Sequence, residues 1–379
     1  MPHEAIYLDC NATTPPDPRV VDAIVQYLTV EFGNAGSRTH TFGIAAARAV
    51  ARAREQVAAV VHAEPADVVF TSGATESNNL AILGLVAHGE STGRSHIVST
   101  QIEHKAILEP LDALTHRGFG VTLVPPNSGG WVEPDAIAAA LRPETLLVSV
   151  MHVNNETGVI QPLDDIGKVL SGHSAYFHSD AAQGFGKELE LLRDPRLDLI
   201  SISGHKIYAP KGVGALVLRK RDFKRPPLNP LMFGGGQERG LRPGTLPVHL
   251  IVGLGLAAEL ALREHGSRRS AALAFKARLL ESLAPLAPMV HGDPSRALPT
   301  TLNCTFPGID SEAAILALKH LVAISNGSAC TSAGHHPSHV LQAMSLPPHS
   351  IAGALRFSWS HDTAEPDYPS LVASIESLQ

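Results

Sequence analysis

Between residues 67 and 218 the chain repeats one rhythm: short apolar, β-branched runs at 67–71, 96–100, 120–124, 146–152, 176–180, 199–203 and 215–218, with helical stretches between most of them. Strands separated by helices pair side by side and mostly parallel, because a crossover helix returns the chain to the same end of the sheet. The expected fold class is therefore α/β, with a mainly parallel seven-stranded sheet wrapped by helices. Sites on such sheets form beyond the carboxyl ends of the strands. After the apolar helical stretch 248–262 the rhythm stops at a polar segment, 263–270. Beyond it come a further helix, a strand-like run at 301–306, a helix at 311–319, a Gly/Ser-rich loop around Cys330 and a strand at 354–359. This predicts a large domain over 16–262 and a smaller α+β domain over 263–379, against which residues 1–15 pack. A chain of 379 residues is long for one core, which favours the same division.

Composition narrows the function classes. With 44% hydrophobic and 17% charged residues the chain has enough apolar material to fold alone and no signature of disorder. Lys and Arg number 30 against 36 Asp and Glu, a net charge of −6, and basic clusters such as Arg219-Lys220-Arg221 are isolated, so direct nucleic-acid contact is not expected. No apolar run approaches the ~20 residues that span a bilayer, and His3, Glu4 and Asp9 do not suit a signal peptide. A cytoplasmic location is expected. Cys10, Cys304 and Cys330 are far apart and odd in number, which argues for a reactive thiol rather than a disulfide framework or a cysteine-zinc site.

Four segments bear chemistry. Lys206 follows the apolar run 199–202, where desolvation favours the neutral amine that condenses with an aldehyde; a solvated surface lysine is the plainer reading. Asp180 ends another run one strand earlier. It suits a carboxylate that keeps a cofactor's ring nitrogen protonated, or equally a helix cap. Thr71-Ser72-Gly73-Ala74-Thr75-Glu76-Ser77-Asn78-Asn79 leaves a strand and opens a helix through Val86, offering amides and hydroxyls to a phosphate or simply capping that helix. The small, polar stretch 326–334 leaves the Cys330 thiol little to bury it, whereas Cys304 reads as core and Cys10 as either. His335, His336 and His339 lie within helical reach of one another. With no acidic or cysteine ligand close by in sequence, no metal is expected.

In this order the pieces resemble the cysteine desulfurases, pyridoxal-phosphate (PLP) enzymes of the aspartate-aminotransferase-like superfamily (PLP fold type I). The likeness runs almost end to end, through blocks at 7–20, 32–42, 70–81, 103–106, 151–159, 178–186, 201–218, 234–250, 325–333 and 355–358. It implies that Lys206 carries the cofactor, Asp180 pairs with the pyridine nitrogen, and His104 stacks on the ring and moves protons. Gln183 and Asn155 would bond near the ring oxygen. Thr75, Ser203, His205 and the Ala74 backbone would hold the phosphate, with Thr245 reaching in from the second subunit of a homodimer. Arg356, assisted by Asn155, would grip the substrate carboxylate; a surface cation at a strand start is the alternative. Cys330 would take sulfur from L-cysteine and pass it to an acceptor protein, for iron-sulfur assembly, tRNA thiolation or DNA phosphorothioation. Cys10-Asn11, Pro243 and Ala209 depart from the family's usual residues, and the tail beyond Arg356 is short. The rival readings are a related PLP enzyme, such as a selenocysteine lyase or aminotransferase, and a non-catalytic binding subunit that keeps the fold.

Overall fold

The computed structural model describes residues 5–326 and 337–378. Its strands in chain order are β1 (Ile6–Tyr7), β2 (Val68–Thr71), β3 (His96–Thr100), β4 (Gly120–Val124), β5 (Thr145–Ser149), β6 (Tyr176–Asp180), β7 (Leu199–Ser203), β8 (Gly214–Leu218), β9 (Met289–Val290), β10 (Thr301–Thr305), β11 (Val322–Ala323) and β12 (Ala354–Ser358). Seven of them form one sheet in the order β2-β8-β7-β6-β5-β3-β4. All its pairs are parallel except the two that β8 makes, with β2 and β7. This is the expected α/β sheet.

Every residue of β5, β7 and β8 is buried, as a sheet covered on both faces requires. Because strand side chains alternate, each strand feeds two cores. Phe70, Val148, Phe177, Ile200, Ile202 and Val217 point into one core, with Ala46, Val50, Ala53 and Val57 of the helix Thr41–Val60 and Ile251 and Leu254 of the helix Val248–Arg263. Val69, Ile97, Leu147, Leu199, Leu216 and Leu218 point into the other, under the helices Ala74–Leu83 and Lys105–Thr115. The two long helices of the first core cross closely at Gly255, where a Cβ would sit 2.6 Å from the Ala53 backbone.

The last third builds its own core. β12, β10 and β9 pair antiparallel, β1 pairs parallel with β11, and Leu8 joins Phe275, Leu302, Phe306, Phe357 and Trp359 in a third cluster.

Three expectations need correction. The helix expected to run from residue 74 through Val86 stops at Leu83 and restarts at Val86, because Asn229 donates to the Gly84 carbonyl (2.8 Å) where the 226–230 segment crosses. The strand expected at 146–152 ends at Ser149, because the Met151 amide turns to the Glu103 carboxyl (2.8 Å). The polar segment 263–270 does end the helix Val248–Arg263, at the non-helical Glu264, but the next helix, His265–Leu283, begins inside that segment rather than after it. Among the described residues no helix is long and apolar enough to cross a membrane.

Candidate active site

A cavity of about 410 Å3 opens where β2, β3, β6 and β7 end, between those strand ends and the segment that follows β1. Lys206 and Asp180 both line it. Ala74, Thr75, His104, Asn155, Gln183, Ser203 and His205 line it as well, so the topology gathers nine of the residues singled out from sequence.

Lys206 sits in a short 3₁₀ turn directly after β7 and is only 9% exposed, which removes the reading of it as a solvated surface lysine. Its amine donates to the carbonyls of Asn11 and Ala12 (2.8 Å to Ala12). Asp180, on the neighbouring strand, is fixed at both oxygens. Oδ1 accepts from the Ala182 amide (2.9 Å) and Oδ2 from the Asn78 side chain (2.7 Å), so it caps no helix and faces the cavity with a set orientation. Asn78 comes from the second turn of the helix Ala74–Leu83, and its Oδ1 is buried without a partner among the described residues. Two residues before Asp180, on the same strand face, His178 shares hydrogen bonds with Ser149 (2.8 Å) and Ser201 (2.9 Å). Burial lowers His178 to about 4, so a neutral ring lies beneath the carboxylate.

The phosphate-like end of the cavity is the start of that helix. Gly73 has φ +155°, and among the described residues no side chain caps the first turn there; instead Glu76 turns back to the Ser72 amide (2.7 Å). Uncapped amides at a helix start suit an anion. β8 and the helix start approach so closely that a Cβ on Gly214 would lie 2.6 Å from Gly73 Cα and 2.3 Å from the Ile202 carbonyl. His205 shares a hydrogen bond with Thr13 (3.1 Å), and burial plus the nearby Lys206, Lys211 and Lys187 lowers it to about 4. A dianion between these groups would raise it again. Lys211, which also lines the cavity, was missed from sequence because nothing local separates it from a surface lysine.

Gln183 supplies the other fitting feature. Its amide donates to the Asn11 carbonyl (2.9 Å), while its side-chain oxygen is buried without a partner among the described residues. His104 caps the helix Lys105–Thr115, with Nδ1 accepting from the Ala106 amide (3.1 Å). Behind it, Glu103 is fully buried, accepting from Thr100 (2.9 Å) and Met151 (2.8 Å), and burial pushes it up to about 8.

The remaining residues lie elsewhere. Arg356 does not line the cavity; it is fully buried at the centre of β12, which overturns the surface-cation alternative. It donates to the Asn155 carbonyl (3.0 Å) and pairs with Asp9 (2.6 Å), and so braces the cavity wall. Thr245 is exposed and away from the cavity of a single chain. Cys330, His335 and His336 lie outside the described residues. His339 bonds the Glu103 carbonyl (3.0 Å), and no three metal-ligating side chains converge among the described residues. Burial pushes Cys10 up to about 11 and Cys304 up to about 12; both are thiols at neutral pH, and Cys304 is core as expected. Glu156 was also missed. It is buried, accepts a short hydrogen bond from Ser338, and is raised to about 7 by burial.

Comparison with known proteins places the arrangement. The aminotransferase class-V family model matches residues 6–368. The cysteine desulfurase IscS of Vibrio cholerae is 46% identical over 363 residues, covering 95% of this chain and 89% of that protein. The chain belongs to the cysteine desulfurases of the class-V aminotransferase family. Among solved structures, DndA from Streptomyces lividans is 51% identical, with a TM-score of 0.82 over 93% of this chain and 99% of that one. SspA in complex with cysteine is 35% identical, with a TM-score of 0.83 over 95% of this chain and all (100%) of that one. Cysteine desulfurases of this family depend on PLP. The cavity fits that cofactor in three respects: an uncapped helix start for the phosphate, a fixed buried carboxylate for the ring nitrogen, and an unpartnered amide oxygen beside them.

Proposed function

We propose that this chain is a PLP-dependent cysteine desulfurase that converts L-cysteine to L-alanine and carries the released sulfur as a persulfide on Cys330. The observation that bears most weight is the meeting of Lys206 and Asp180, from the ends of adjacent strands, in one cavity. The cofactor, when bound, draws electron density from the substrate's α-carbon, which makes its proton acidic and its sulfur labile. The chain's own residues do the rest. Lys206, buried beside the Asn11 and Ala12 carbonyls, would be the residue that holds the cofactor through its amine. Asp180, held by Asn78 and the Ala182 amide, keeps a proton on the ring nitrogen. His104 covers the cavity and moves protons. Gln183 and Asn155 bond the ring oxygen, while the Ala74 amide with Thr75, Ser203 and His205 holds the phosphate.

Arg356, with Asn155, receives the substrate carboxylate by exchanging part of its pairing with Asp9. The Cys330 thiolate attacks the substrate sulfur: the carbon–sulfur bond breaks, a sulfur–sulfur bond forms, and alanine departs. The persulfide then goes to an acceptor protein.

The exposure of Thr245 supports a homodimer in which that residue completes the partner's phosphate site. Separate cores favour a large domain over 16–262 and a smaller one formed by 1–15 with 263–379. A net charge of −6 favours an enzyme acting through protein acceptors rather than on nucleic acid directly.

The test is to replace Cys330 by serine. The variant should keep the yellow colour of the bound cofactor and lose alanine formation from cysteine; undiminished turnover would remove Cys330 from the mechanism. Capture of the labelled persulfide by partner proteins then identifies the acceptor.

A further inference from the structure

Ile207 and Tyr208, which continue the Lys206 turn, form one wall of a second cavity of about 40 Å3. Lys187, Thr300 and His361 line it from other segments, and the helix His265–Leu283 adds Arg268. A single water needs ~10–15 Å3 of such space, so this one accommodates a small ion or a few waters.

Its polar groups are unbalanced. The Thr300 hydroxyl and the His361 Nδ1 are both buried with no hydrogen-bond partner among the described residues, and Thr300 itself is only 9% exposed. Burial lowers the Lys187 amine to about 8, and the one neighbour that opposes this is the Cys10 thiol rather than a carboxylate. The nearby carboxylates are engaged elsewhere: Glu264 with Arg19 and Arg268, Asp17 with Arg19 and Arg268, and Asp362 with the far side of His361 (3.1 Å). Tyr208 is pinned edge-on to His361 (4.9 Å between rings) with Arg268 over its face (5.2 Å), so the ring is packed in place as a wall. A half-buried amine beside a buried hydroxyl and a buried ring nitrogen that both lack partners among the described residues, with its neighbouring acids already used, is a place where a bound anion would recover free energy.

We propose that this cavity is a binding site for one halide-sized anion, held by the Lys187 amine, the Thr300 hydroxyl and the Nδ1–H of His361. Nε2 of His361 already donates to Asp362, and burial and Arg268 lower the ring's pKa, so an Nδ1–H facing an anion means a ring doubly protonated only when the anion is bound. Anion binding therefore takes up protons at His361 and Lys187 and tightens as pH falls. The other charged groups around the cavity, Arg268, Arg269, His265, Asp17, Glu264 and Asp362, set the field against which this happens. Filling the site also offsets one of the three lysine charges that lower His205.

Bromide is the probe. Crystals of the PLP-loaded enzyme grown in bromide should show an anomalous-scattering peak between Lys187, Thr300 and His361, and bromide should raise the melting temperature saturably. Lys187→Met should abolish both, while Lys220→Met, at an exposed position, should leave both unchanged. Thr300→Val, near in shape, should weaken bromide binding about tenfold, the loss of one hydrogen bond to an ion, and it decides the matter where Lys187→Met fails to fold. No peak in the cavity, a peak on the surface only, or an unchanged bromide midpoint in Thr300→Val would each overturn the assignment.

Discussion

Asp180 is held by a side chain that no local pattern distinguishes. Asn78 sits in a helix start that reads as one polar stretch, and only the packing of that helix on β6 shows that Asn78, among its polar neighbours, reaches the carboxylate. Asn78→Ala should therefore lower kcat/KM for cysteine by about ten- to a hundredfold, the value of one charge-assisted hydrogen bond, with the cofactor still bound. Steady-state kinetics with a visible spectrum checks both halves. Lys206→Ala should lose the cofactor's yellow colour and all alanine formation, as read by the same measurements. Lys206, Asp180 and the Gly73–Thr75 turn were legible in sequence because each closes a recognisable strand. Glu103, Glu156 and Lys211 were not, because their roles arise from contacts between segments far apart in the chain. Arg356 was placed correctly on a strand, yet its burial against Asp9 depends on the residues after β1 bridging to β12, which no single stretch reveals.

At the scale of elements, most of the seven strand runs were readable because burial on both faces keeps them largely apolar, while the edge strand β4 is partly exposed and is marked by its β-branched residues. Their ends were less so. β5 stops where Glu103 captures an amide, and the helix after β2 stops where a loop 145 residues later crosses it at Gly84. The junction of β8 with the Gly73 turn has the least room for change. Gly214→Ala places a methyl group within 2.3 Å of the Ile202 carbonyl, with backbone on both sides, so it cannot be absorbed by rotating a side chain. We expect it to destabilise the enzyme by about 1–3 kcal/mol, or more, and to weaken PLP binding by shifting the helix start away from β7. Denaturant unfolding and cofactor titration would measure the two effects separately.

Stability of the whole molecule should follow its buried titratable groups. Burial lowers His178, His205 and His291 from 6.5 to about 4. Between these values the unfolded chain binds protons that the fold excludes, so their contribution is complete above about 6.5 and is lost as pH falls towards 4. Burial raises Glu103 from 4.5 to about 8 and Glu156 to about 7. There the fold binds protons that the unfolded chain releases, so their contribution is complete below 4.5 and is lost as pH rises through those higher values. Melting temperature of the cofactor-free protein should consequently peak near pH 6.5 and decline by a few degrees towards pH 8, and Glu103→Gln should flatten that alkaline decline in a calorimetric series.

The amine of Lys206 rests on the carbonyls of Asn11 and Ala12, just beyond β1, which pairs with β11 at Val322–Ala323. During synthesis on the ribosome, then, the peptide that steadies the amine can dock on the large sheet through Gln183, His205 and Tyr208 well before its remaining anchors, Thr301 and Ser358, have been made. Lys206 should therefore be steadied in two stages, loosely once residue 208 has emerged and firmly only when Thr301 and Ser358 close on Asn11.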